Sequence, residues 1–198
     1  MTARTPDLLD LVEGAYRQHF EVVPARASVS FVGVESIEVL RYADRTEHGE
    51  SALAHYLSLG MSRYPMTDPS EQLRDDAAGP RAELLLSARG RPDEIWRQLA
   101  VLAAAPMVEG VVYAVGNSVD LGHPLLGGSR CTGALLAEGP LRLIPTGATA
   151  EIQVLRVIPA TANELAWARV HGSAKLIERW RVAAIDLEDL MRESVGLD

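Results

Sequence analysis

The sequence predicts an α+β fold. Segments with strand-like patterning and segments with helix-like spacing are mixed along the chain, without the strict strand–helix alternation of a doubly wound sheet. At 198 residues, with 47% apolar and 23% charged side chains, the composition is that of a folded chain and not of a disordered one. A chain of this length buries roughly 70% of the surface its unfolded form exposes, so a substantial core is expected. No internal repeat or low-complexity tract appears, and a single domain over residues 1–198 is the expectation.

At the N-terminus, Thr5-Pro6 supplies a capping hydroxyl and a proline suited to a first helical position. Leu8, Leu9, Val12, Ala15, Tyr16 and His19 then recur at helical spacing to about Phe20. Val29 to Val34 and Ser36 to Tyr42 read as β-branched strands separated around Gly33, and Ala43 to Glu50 as a turn. His55 to Ser62 alternates and is read as a strand. Met66 to Pro80, with Asp68-Pro69, Asp75-Asp76 and Gly79-Pro80, is a long loop of the kind that usually carries function. Glu83 to Ala88 is an apolar strand.

Pro92-Asp93-Glu94 opens a helix expected to stop where Pro106 interrupts it, near Ala105. Val108 to Val115, Val119 to Leu121, Ala134 to Leu136 and Leu141 to Ile144 are short strand candidates, with turns at Gly122-His123-Pro124 and Gly127-Gly128-Ser129. Thr149 to Ile158 reads as a strand ending at Pro159. Thr161-Ala162-Asn163-Glu164 has the capping-box spacing, in which the hydroxyl and the carboxylate each satisfy an orphan amide of one helix start. Gly172 separates that helix from another over Ala174 to Arg181, and Leu187 to Glu193 is expected to form a last one. Trp96, Trp167 and Trp180 all fall on helices and are expected to anchor the core.

Charge and cysteine content exclude several functions. With 19 Lys+Arg against 27 Asp+Glu, the net charge is −8, which argues against duplex nucleic acid as the ligand because phosphates require a basic face. Lys175 is the only lysine among the basic residues, a bias expected from GC-rich codons. The single cysteine, Cys131, permits no internal disulfide and no multi-cysteine zinc site. No basic and apolar leader opens the chain and no run of about 18 apolar residues occurs, so a cytoplasmic chain with no membrane partner is expected.

The searched catalytic motifs fail on particular residues. His19, His48, His55, His123 and His171 show no i, i+4 metal pair. His123, held between Gly122 and Pro124, is read as a turn side chain bonding a nearby carbonyl. Gly128 to Gly133 has phosphate-loop glycine spacing, but Ala134-Leu135 replaces the Lys-Ser/Thr that would reach the terminal phosphates. Gly60-Met61-Ser62-Arg63-Tyr64 has tyrosine where a nucleophile elbow needs glycine. Cys131 reads as a buried, inert thiol, and Asp75-Asp76 as solvated carboxylates.

Taken in chain order, the segments resemble the Suppressor of fused family over roughly residues 29–195. His55-Tyr56-Leu57-Ser58-Leu59-Gly60-Met61-Ser62 matches its His-Tyr-x-Ser-x-Gly-x-Ser strand, and Gly79 with Glu83-Leu84-Leu85-Leu86 its Gly-x-x-x-Glu-Leu strand. Pro92, Trp96 and Leu99-Ala100 match its proline-led helix, and Gly116 to Val119 with Pro124-Leu125 a later turn. Leu141 to Gly147 resembles the next strand and turn, with Thr146 after Pro145 instead of before it. Ile152 to Ile158, Thr161 with Glu164-Leu165, and Asp186 with Arg192-Glu193-Ser194-Val195 complete the series.

The resemblance implies a central, largely antiparallel sheet flanked by helices, and a protein-binding module without catalysis or cofactor. Animal members sequester zinc-finger transcription factors of the Hedgehog pathway and take a partner peptide as an added strand. Bacterial members lie beside polymorphic toxins and are thought to act as immunity proteins. The animal peptide cleft is closed by a second domain that this sequence does not match, so the expectation is the bacterial role, with a cationic toxin as partner. The expected partner contacts are Asp68, Asp75 and Asp76 in the variable loop, with His55 and Tyr56. Two other readings stand beside it: a small hydrolase-like enzyme using His55, His123 or Glu83 in a cleft, and a partner of a transcription regulator.

Overall fold

A computed structural model of the chain describes residues 7–43, 52–67, 79–143 and 151–197. Among them run α1 (Leu8–Phe20), β1 (Ala25–Phe31), β2 (Val34–Ala43), β3 (Leu53–Leu59), a 3₁₀ turn (Met61–Arg63), β4 (Arg81–Arg89), α2 (Glu94–Glu109), β5 (Ser118–Asp120), β6 (Cys131–Leu143), β7 (Ile152–Thr161), α3 (Ala162–His171) and α4 (Ser173–Val182). The strands form one sheet in the order β1-β2-β3-β4-β7-β6-β5. Only β4 and β7 pair in parallel, so the fold is α+β with a largely antiparallel sheet, as the sequence predicts.

Period-two alternation splits the core between the two sheet faces. On one face Ile37, Val39, Tyr56, Leu84 and Leu86 pack under α2 through Ile95, Leu99 and Ala103. On the other, Leu40, Leu57, Leu85, Ile152 and Val154 pack under α1 through Val12 and Tyr16. Farther along that second face, Ile158 and Ala160 of β7 with Leu135 of β6 pack under α3 and α4 through Leu165, Leu176 and Trp180. The sheet is therefore sandwiched; among the described residues α2 is the one α-helix on the first side, joined there by Met61, Tyr113, Leu125 and Leu190.

Several boundaries depart from the sequence expectations, each for a local reason. The strand expected over His55 to Ser62 ends at Leu59, where Gly60 takes φ +130 and the chain turns into the 3₁₀ turn. Pro106 does not end α2, which runs to Glu109 and is capped by Gly110 in the left-handed conformation. The proline removes one helical N–H, and the Leu102 carbonyl left without it accepts from the Tyr113 hydroxyl at 3.1 Å. Val108 and Glu109 are thus helical, and the strand expected over Val108 to Val115 does not form.

The two short runs at Ala134 and Leu141 join into one long β6. Its register shifts between Glu138 and Arg142, where a Cβ on Gly139 would lie 1.8 Å from the Val154 carbonyl oxygen, so only glycine fits. β7 passes through Pro159 to Thr161. The Pro159 carbonyl points away from β6 and accepts from Arg192 at 2.9 Å. The proline nitrogen faces the same way, where β4 has already ended its pairing at Arg156, so no ladder bond is lost.

Leu187 to Glu193 forms turns instead of a helix, because Asp186 and Asp189 accept from the Glu188 and Met191 amides two residues on. Of the tryptophans only Trp180 is fully buried. Trp96 and Trp167 are half-buried under the guanidinium groups of Arg41 and Arg179, at 5.0 and 4.7 Å from the ring centroids. Thr5-Pro6 lies outside the described residues, and α1 begins behind Asp7.

Candidate protein-binding surface

β3 and β4 pair in register as far as Leu57 opposite Leu85 and then separate. The Glu83 side chain, fully buried, fills the gap. Its carboxylate accepts from Ser58 Oγ at 2.5 Å, from the Gly60 and Ser62 amides at 2.9 Å each, and from Ser62 Oγ at 2.6 Å. Ser58 Oγ accepts in turn from the Leu84 amide at 2.8 Å. Among the described residues, hydroxyls and backbone amides alone satisfy this buried carboxyl group, an arrangement that turn backbones can provide. Behind it, Arg81 Nη1 donates to the Ser62 and Arg63 carbonyls at 2.8 and 2.6 Å, so the 3₁₀ turn is held from both ends.

Beyond the turn the chain reaches the surface. Tyr64 is exposed, its hydroxyl donating to Glu35 at 3.2 Å, and Arg63 pairs with the same carboxylate. The Met66 amide donates to the Pro80 carbonyl at 2.8 Å, which brings together the two ends of the segment carrying Asp68, Asp75 and Asp76. Gly79 lies against this closure: a Cβ there would sit 2.7 Å from the Met66 carbonyl oxygen. The three aspartates themselves lie outside the described residues. Beside the turn is an open groove of about 570 Å³, with Val34, Met61, Tyr64 and Met107 among its walls and Glu35 and Glu109 as its ionised lining.

His55 and Tyr56 are neighbours on β3 and therefore face opposite sides of the sheet. Tyr56 is buried on the α2 side, its ring edge-on to Trp96 at 5.7 Å and its hydroxyl donating to the Pro92 carbonyl at 2.9 Å. His55 is half-buried on the α1 side, with Nδ1 2.8 Å from Ser87 Oγ and the Phe20 ring 5.1 Å away. Burial above all, and then the charges of His19 and Arg156, hold its pKa below the usual histidine range. It lines a second open groove, of about 500 Å³, with Phe20, Tyr42 and Leu53.

The residues of the enzyme reading do not converge. His55 opens on the α1 side, Glu83 is consumed by the β3 turn, and His123 lines a third groove beside α2, its Nδ1 3.1 Å from the Pro124 carbonyl oxygen. Cys131 is buried, and burial pushes its thiol up and away from reactivity. No group of three His, Cys, Asp or Glu able to hold a metal occurs among the described residues, and no helix there is long and apolar enough to cross a membrane. The anion-binding turn, which motif reasoning misses, has a signal in the sequence. Ser58 and Ser62 flank Gly60 at two-residue spacing where a strand stops, and such a segment can wrap its hydroxyls and amides around an anion.

The model for the Suppressor of fused protein (SUFU) family matches residues 33–193. The chain belongs to the Suppressor of fused family. Its fold is shared by a Suppressor of fused homologue from Neisseria gonorrhoeae, 18% identical with a TM-score of 0.67 over 91% of this chain and 92% of that one. A Sufu–Fu complex structure, 14% identical, gives a TM-score of 0.69 over 96% and 93%. Drosophila Suppressor of Fused, 15% identical, gives 0.59 over 79% of this chain and 42% of its own length, so the chain spans less than half of that protein. At these identities the likeness establishes the fold. No curated protein matches the chain. The sequence motifs of this Suppressor of fused domain map mainly inside the molecule: Ser58, Gly60, Ser62 and Glu83 build the β3 turn, and Thr161, Glu164 and Arg192 a second buried network.

Proposed function

We propose that this chain is a single-domain, non-enzymatic protein-binding module that acts in the cytoplasm as an immunity protein, neutralising a cationic toxin. The observation that carries the reading is the groove beside the 3₁₀ turn: Glu83 and Arg81 hold that turn, Val34, Met61 and Met107 give the groove apolar wall, and the charged residues lining it among those described, Glu35 (paired with Arg63) and Glu109, are acidic. A pre-formed acidic and apolar surface binds without a large ordering cost and steers a basic partner toward it. Asp68, Asp75 and Asp76 follow in sequence directly after Pro65 and Thr67, which line this groove, and they would extend its acidic character. His55 would contact the partner from its own groove, while Tyr56 shapes the surface from within the core.

The relative solved as a Sufu–Fu complex supports a partner-binding role for the family. Strand addition is available at the outer edges, β1 on one side and β5 on the other, which lack a second neighbour among the described residues. The test is co-expression with the product of a neighbouring gene. A stable complex, with rescue of growth from that product's toxicity, is expected. No complex and no rescue would overturn the immunity reading, and binding to a basic DNA-binding protein instead would assign a regulator partner.

A further inference from the structure

We infer that the groove between α2 and residues 111–123 is a second docking site, taking an apolar segment of a protein partner that ends in a lysine or arginine. This rests on the protein-binding reading and names the chemistry of the partner. The groove is open and about 640 Å³, larger than those beside the 3₁₀ turn and His55. Val101 on the outer face of α2 and Val112 beyond its end both line it, 45% and 38% exposed, with Val111, Val119 and Leu121 as further apolar lining. An open concavity lined by apolar side chains with a few polar groups is the form that binding sites take.

Charge selects the occupant. The acidic residues on the lining are Glu109 and Asp120, and among the described residues no lysine or arginine lines the groove. His123, the one side chain there able to become cationic, already has Nδ1 against the Pro124 carbonyl. Glu109 is also the last residue of α2, and the last turn of that helix carries no basic residue. The negative end of the helix dipole and the Glu109 carboxylate therefore add, with no basic residue in the last turn to offset them. Glu109 is also felt inward: burial first, and then Glu109, push the Tyr113 phenol up to about 12. A second copy of a chain with net charge −8 would bring the same acids to this rim, and an anionic membrane would be repelled by it. A basic residue at the end of an apolar segment fits.

The test uses the full chain, isotope-labelled for NMR, and two synthetic peptides. One is a short leucine-rich helix ending in arginine; the other has glutamate in place of the arginine. Shifts are expected at Gln98, Val101, Val112 and Val119, with the arginine peptide binding about tenfold tighter, equivalent to about 1.4 kcal/mol. Glu109→Gln with Asp120→Asn should bring the two peptides within about twofold of each other. Val101→Asp should abolish binding of both, and the milder Val112→Ser should weaken both. The two valines are exposed, so the fold is expected to survive, which a thermal melt checks.

Equal affinity for the two peptides, shifts confined to another face, no shifts with either, or groove shifts that appear on self-association would each overturn the inference. The peptides do not involve the toxin. A failed co-expression therefore leaves their result standing, while an authentic partner complex unaffected by these four substitutions would overturn the second site and not the protein-binding function.

Discussion

Glu83 and Glu164 are both fully buried carboxylates, yet the protein satisfies them in opposite ways. Glu164 is neutralised. Arg192, itself almost buried, donates to both its oxygens at 2.8 and 2.9 Å, joined by Trp180 Nε1 and the Thr161 and Val195 amides. Those partners come from the end of β7, from α4 and from the C-terminal segment, so one side chain ties together three stretches far apart in sequence. Among the described residues Glu83 has no cation partner, and its donors there all come from five residues, Ser58 to Ser62. The difference teaches what each is for: the paired carboxylate fastens elements to one another, and the unpaired one sets the shape of a single turn beside the binding groove.

The largest expected effect is on the fastening. Glu164→Ala leaves the Arg192 charge and the Trp180 indole buried without their acceptor, and should cost about 3–5 kcal/mol in urea denaturation. The same network carries a pH dependence. Burial alone pushes Glu164 up, but Arg192, the two amides and Trp180 outweigh it and hold the carboxyl below its ordinary value of 4.5. The unfolded chain therefore takes up the proton first as pH falls. The contribution is complete above the ordinary carboxylate range and is lost as pH drops through the folded value. Urea midpoints measured from neutral pH down to acid should fall in the wild type and fall less steeply in Glu164→Gln.

Glu83→Gln keeps the volume but places an amide donor among donors, and should cost about 1–3 kcal/mol. The comparison is sharpened by binding, because Glu83→Gln should also weaken the partner complex under conditions where the chain remains folded. Glu164→Gln, folded, should leave partner affinity unchanged. If both variants weaken binding equally, the division between fastening and shaping fails. The smallest effect belongs to the cap: Thr161→Ala should cost about 1 kcal/mol, with Thr161→Ser recovering most of it, by thermal or urea unfolding.

The same two carboxylates show how far the sequence can be read. Only the capping box of the Glu164 network is local: Thr161 accepts from the Glu164 amide and Glu164 from that of Thr161, and this follows from four adjacent residues. Arg192 lies 28 residues away, and no local rule points to it. At Glu83 the alternation of His55 to Ser62 continues past the point where the strand stops, so pattern alone carries the strand three residues too far. Pro106 and Pro159 mislead for one reason: a proline ends an element only when its missing N–H is needed, and here Tyr113 and the early end of β4 pairing remove that need. The α2 groove has no sequence signature because its walls are separate segments that only the fold brings together, and the acidic loop is legible only as composition.

Binding of a basic protein to an acidic, partly apolar surface of this Suppressor of fused domain is what the proposed function requires. Its most direct test is calorimetric titration of the purified, folded chain with the purified product of the neighbouring gene, in low and high salt. A one-to-one complex is expected that weakens as salt rises and weakens again when Asp68, Asp75 and Asp76 are changed together to asparagine. Two folded proteins that give no binding, or a complex indifferent to both salt and the three aspartates, would contradict it.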